Sequence, residues 1–198
     1  MSTILIVIIA IIVVLFLWGI GIYNRLVQLR NQVNNAWSQI DVQLQRRYDL
    51  IPNLVEAVKG YMTYEKGTLE TVINARNQAQ QARSQVEQVG GPTAGSIKDL
   101  LTADTSLRGA VTNIMALAEN YPQLRASENM QQLQEELTST ENKVAFARQG
   151  YNDSVLLYNT TQQEFPAVLI AATFGHHAVE LFQLDDQEAK KAPKISFT

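Results

Sequence analysis

Residues 4–22, ILIVIIAIIVVLFLWGIGI, carry no charged and no strongly polar side chain from Ile4 to Ile22. No other feature restricts the fold so tightly. A helix through this run rises about 28 Å at ~1.5 Å per residue, which matches the roughly 30 Å hydrocarbon thickness that a spanning helix must cross. A cleaved signal peptide is the rival reading. It is disfavoured because Met1-Ser2-Thr3 contributes no lysine or arginine and no small-x-small cleavage site closes the run. The run is also longer than the ~7 to 15 apolar residues of a signal-peptide core. Residues 1–23 are therefore expected to be a retained membrane anchor, with Trp18 and Tyr23 as an interfacial aromatic belt. Arg25, Arg30, Arg46 and Arg47 all follow the run, and nothing positive but the terminal amine precedes it. The amino terminus is then expected outside and the remainder in the cytoplasm.

The remainder is polar and helix-periodic. With 198 residues, 46% apolar composition and a net charge of −3, the chain has room for one core-forming domain over residues 24–182, followed by a polar tail over 183–198. The absence of cysteine excludes disulfides, thiolate nucleophiles and thiolate metal sites. The 16 basic and 19 acidic residues form no basic stripe, so there is no basis for nucleic-acid binding.

Leu26, Leu29, Val33, Ala36, Ile40, Leu44, Arg47, Ile51, Leu54, Val58 and Met62 recur at steps of three and four, the spacing of a helical core face. Pro52 interrupts that helix without shifting its register, which predicts a kink there and a chain reversal between Gly60 and Gly67. A single helix as far as Val86 is the alternative. VGGPTAGS, residues 89–96, is a loop by composition. Beyond it the pattern predicts a helix over 97–120 ending before Pro122. A longer helix follows, marked by Met130, Leu133, Leu137, Val144, Arg148, Tyr151, Val155 and Tyr158 and closed by Phe165-Pro166. AVLIAATFG then reads as a short apolar capping helix. The expected fold is all-α: an N-terminal single transmembrane helix continuing into an antiparallel four-helix bundle. Because neither proline nor glycine lies between Tyr23 and Pro52, span and first bundle helix are expected to be continuous.

Residues 23–76, YNRLVQLRNQVNNAWSQIDVQLQRRYDLIPNLVEAVKGYMTYEKGTLETVINAR, resemble the amino-terminal signature of LemA family proteins. LAENYPQLRAS at 117–127, ENKVAFARQGYNDSVLLYN at 141–159 and the closing Phe165-Pro166 to Phe182 pattern resemble its later ones. The resemblance implies a bacterial inner-membrane protein with a cytoplasmic antiparallel bundle. It also implies kinship with magnetosome-associated proteins linked to shaping that membrane, an analogy of family and not of site. Gly175-His176-His177 departs from the pattern, where phenylalanine is expected after the glycine.

No chemistry-bearing constellation stands out. His176 and His177 point about 100° apart on a helix and so cannot chelate one metal in the usual i, i+4 manner; they are read as surface or capping residues. No Glu-x-x-His pair, phosphate-binding glycine loop or serine elbow occurs. The chain is therefore read as a non-enzyme with no catalytic, cofactor or metal residues and no small-molecule substrate. Arg47, Glu141 and Arg148 fall in frame with the apolar stripes and are expected to form a structural polar cluster, completed by Arg46, Asp49, Asn53 and Asn152. Gly19 and Gly21 are read as plain lipid-facing residues.

The expected function is a self-assembling scaffold that organises or shapes the bacterial inner membrane, with the bilayer and copies of the same chain as partners. Leu169, Ile170, Phe174, Ile195 and Phe197 form the expected assembly surface, joined by Phe146 and Leu156 off the main stripes. A monomeric adaptor for a membrane protease or signalling partner is the alternative.

Overall fold

The structure, a computed structural model, describes residues 2–62 and 65–183. Its first helix, α1 (Ser2–Lys59), is unbroken over 58 residues, about 87 Å at ~1.5 Å per residue. Residues 3–18 are exposed, burial begins at Gly19, and Leu26 is the first residue with no accessible surface. From Leu26 onward the stripe through Val33, Ile40, Leu44, Ile51, Leu54, Val58 and Met62 lies in the core.

α1 continues through Pro52 and ends at Lys59, and the reversal follows at Gly60. The remaining helices are α2 (Lys66–Gln88), α3 (Ala94–Ala118), α4 (Pro122–Arg125), α5 (Glu128–Gln163) and α6 (Ala167–Thr173). α1 packs along α5 and against α2, α2 packs along α3, and α6 closes on both α1 and α5. The four long helices thus alternate in direction, and no strand occurs among the described residues. α2 presents Ala75, Ala79 and Ala82 to the core, which lets its backbone approach its neighbours closely. It ends in a Schellman motif: Gly90 and Gly91 take positive φ, Gly91 N–H donates to the Val86 carbonyl and Gly90 N–H to the Glu87 carbonyl. Thr93 and Ser96 then cap α3 reciprocally. The four-residue α4 is an element the periodicity did not predict. α3 ends before Pro122 as expected, and Pro122 also opens a new turn, where its missing N–H costs nothing.

Pro52 explains a contact between α1 and α2. A proline donates no hydrogen bond, so the carbonyl of Tyr48, four residues earlier, loses its helical partner. Arg76 of α2 supplies the replacement, its Nε donating to the Tyr48 oxygen at 2.9 Å.

The chain returns from the far side as a strap. Gly175 adopts φ 70° and ends α6, with His176 N–H donating to the Ala171 carbonyl at 3.0 Å. Residues 176–183 then run irregularly along α5. Asn159 of α5 brackets Val179, accepting its N–H at 2.9 Å and donating to its carbonyl at 2.8 Å. Asn152 brackets Phe182 in the same way, at 2.7 and 3.3 Å. The spacings agree because three extended residues advance about 10 Å, as do seven helical ones. Phe182 is thereby driven between Trp37 of α1 and Tyr151 of α5, at ring distances of 5.8 and 6.4 Å.

Arg76→Ala should destabilise the bundle by about 1–3 kcal/mol, the usual cost of orphaning a buried carbonyl. In a Pro52→Ala background that cost should fall, since the new N–H can satisfy Tyr48 within the helix. A denaturant double-mutant cycle checks the coupling, and additive losses would refute it.

Candidate functional site

The polar residues predicted to cluster are dispersed. Arg47 is buried, as its place in the stripe requires, but its partner is Asp104 of α3, with Nη1 2.9 and 3.1 Å from the two carboxylate oxygens. Glu141 instead pairs with Arg108 across a half-exposed α3–α5 seam. An Arg47–Glu141 pair therefore does not form. Between the buried Leu137 and Val144 the residue of α5 that turns inward is Thr140 and not Glu141, and it satisfies its own hydroxyl on the Leu137 carbonyl. Arg148 has no carboxylate partner among the described residues. It lies 4.9 Å over the Phe182 ring and donates to the Phe182 carbonyl at 3.5 Å, and burial lowers its pKa from the ordinary value. Arg46 joins Glu136, Asp49 accepts from Gln45, and Asn152 belongs to the strap, so these three serve three different contacts. On the opposite flank Arg83 grips Asp41 with two bonds of 2.5 and 2.7 Å, which raises the pKa of the guanidinium.

At the end nearest the apolar run, α6 packs on α1. Ile170 Cδ1 lies 3.8 Å from where a β-carbon on Gly19 would stand, so Gly19 contacts protein and is not the plain lipid-facing residue expected; Gly21 is open. Tyr23 stacks with Phe174 at 4.8 Å. His176 is buried beside them, its Nδ1 3.0 Å from the Tyr158 hydroxyl and its ring about equidistant from Tyr23 and Tyr158. The surface reading therefore fails for His176, which is buried between the Tyr23 and Tyr158 rings, while His177 is exposed. Burial, reinforced by Arg30 and His177, lowers the pKa of His176.

Of the expected assembly surface, Leu169 and Phe174 are exposed, Ile170 is half-buried against α1, and Ile195 and Phe197 lie outside the described residues. Phe146 and Leu156 are exposed on α5. Phe146 lines a groove of about 1110 Å³ between α1 and α5, floored by small residues such as Ala36, Ala147 and Gly150. Gln43 also lines it and leaves a buried carbonyl oxygen without a partner among the described residues. No cluster of three or more metal-ligating side chains occurs among the described residues.

The LemA family model matches residues 36–197, most of the chain and nearly all of the bundle. The chain belongs to the LemA family. Magnetosome protein MamQ of Magnetospirillum gryphiswaldense is 26% identical over 174 residues, 81% of this chain and 64% of the relative. Magnetosome protein MamQ 2 of Paramagnetospirillum magneticum is 27% identical over 175 residues, with the same coverage. Protein LemA of Metamycoplasma hominis is 25% identical over 169 residues, 85% of this chain and 72% of the relative. The chain thus spans about 64% of the length of the MamQ relatives. Within this LemA family chain, the α5 segment 141–159 holds both strap asparagines, so one of the segments that carried the resemblance also clamps the carboxy-terminal region.

Removing either Arg47 or Asp104 by alanine substitution should cost about 3–5 kcal/mol, because each leaves a buried charge unpaired. Arg108→Ala or Glu141→Ala should cost under about 1 kcal/mol. Denaturant melts with double-mutant cycles check this: Arg47 should couple to Asp104 and be additive with Glu141.

His176 gives a pH dependence. Its folded pKa lies below the ordinary value, so the unfolded chain binds the proton first and stability, complete above about pH 6.5, declines as pH falls below it. Thermal melts across that interval should show the decline reduced in His176→Phe, and an unchanged profile would exclude His176 as its source.

Proposed function

We propose that this chain is a membrane-anchored, non-enzymatic scaffold whose copies associate side by side and organise or shape a bacterial inner membrane, with the amino terminus outside and the bundle in the cytoplasm. The observation that carries the reading is Phe146, 79% exposed at mid-bundle on the α1–α5 groove, on a domain that shares one helix with the apolar run. A benzyl side chain so placed gains by entering an apolar groove, and the groove offers small residues and the unpaired Gln43 oxygen to receive a neighbour. A rigid anchor holds Phe146 and the groove of every copy at one height above the bilayer. Confinement to that plane raises the effective concentration, so a weak lateral contact suffices. Two relatives are named as magnetosome proteins, and by analogy the assembly acts on membrane form.

Mass photometry of the full-length protein in detergent should show a particle larger than the monomer, reduced by Phe146→Ser with helicity retained. Deleting residues 167–198 is a poorer test, because it withdraws Phe182 from the core. A monomer from the intact chain at every accessible concentration would favour the adaptor reading.

A further inference from the structure

α6 carries an apolar surface that the bundle does not use. Ala167 and Ala171 are buried, while Phe165 is 81%, Leu169 62% and Phe174 61% exposed. What distinguishes this patch from Phe146 is its height. α6 touches α1 at Gly19 and Tyr23, inside and at the end of the apolar run, and the first charged residue, Arg25, comes only later. At ~1.5 Å per residue, Gly19 lies about 9 Å deeper along α1 than Arg25. Interfacial helices seat their apolar faces ~5–10 Å into the boundary between headgroups and acyl chains. Trp18 and Ile20, the α1 neighbours of Gly19, are exposed as well.

We propose that α6 is a second membrane contact, with Phe165, Leu169 and Phe174 immersed in the headgroup–acyl boundary of the bilayer that α1 crosses. The contact rests on the reading of residues 4–22 as a membrane span. One helix through a bilayer leaves the bundle free to rotate about it, and a lateral element beside that helix removes the freedom. The groove bearing Phe146 then takes a defined azimuth relative to the membrane. Because the strap begins directly after Gly175, α6 is also tied to Phe182 in the core, so its seating in lipid is held from both ends.

The chain contains no cysteine, so single substitutions label it cleanly. Full-length protein carrying Leu169→Cys or Phe174→Cys, modified with NBD, is reconstituted into phosphatidylethanolamine–phosphatidylglycerol vesicles with or without lipid bearing a shallow doxyl quencher. Phe16→Cys in the run and Tyr61→Cys at the far end of the bundle are the references. Emission at 169 and 174 should shift to the blue and be quenched by the shallow doxyl lipid, while 61 is unaffected and 16 responds to a deep quencher. A quenched 16 with unquenched 169 and 174 overturns the inference and leaves the span intact. A blue shift at 169 and 174 without quenching identifies packing by a second copy, which also overturns it. An unquenched 16 removes the span and the inference together.

Discussion

Backbone continuity of α1 is the constraint on which the rest of the molecule depends. One helix serves first as an apolar rod and then as a wall of the bundle, so the height and tilt of every other element are set relative to it. The weak point of such a rod is Pro52, which removes a hydrogen bond between the buried Ile51 and Leu54. The bundle answers with Arg76, whose charged donor occupies the carbonyl that proline frees. A break in the helical ladder thereby becomes a tie between α1 and α2. Farther along, Arg47 and Asp104 link α1 to α3 across the core, and Arg83 with Asp41 links it again to α2.

The opposite end is organised by asparagine. Asn152 and Asn159 lie seven residues apart on the inward side of α5, and each imitates the edge of a sheet toward a single residue of the returning chain. Their amides can donate and accept at once, which a carboxylate or an ammonium cannot, and that is why one side chain satisfies both backbone groups of a strap residue. Arg148 fits the same arrangement. Its positive charge rests over the Phe182 ring and its donor reaches the Phe182 carbonyl, so a half-buried guanidinium without a salt-bridge partner among the described residues is stabilised by a quadrupole and a dipole.

Much of this was legible beforehand, and the failures have definite causes. The three-and-four spacing from Leu26 to Met62 placed Arg47 in the core correctly, because a rigid helix of known pitch leaves no other face for it. Asp104 stands between Leu101 and Leu107 on the buried stripe of α3, so the same periodicity could have placed a charged residue in the core there, though not opposite Arg47. Glu141 was misplaced because positions 140 and 141 both fit a three-and-four spacing between the buried Leu137 and Val144, and Thr140 is the residue that turns inward. The roles of Asn152 and Asn159 had only their spacing as a signal. That spacing has no meaning until an extended segment is known to lie alongside.

Composition and periodicity alone determined that the chain is helical, that its amino-terminal run is long and apolar enough to cross a bilayer, and that this run and the bundle share a helix. Those properties follow from hydrophobicity and pitch, which are local. Tertiary structure alone decided which carboxylate neutralises Arg47, that His176 is buried between the Tyr23 and Tyr158 rings, and that α6 lies beside Gly19 at the level of the apolar run. Each of these depends on two segments far apart in sequence reaching the same place, and helical periodicity carries no information about the rotation of one helix relative to another.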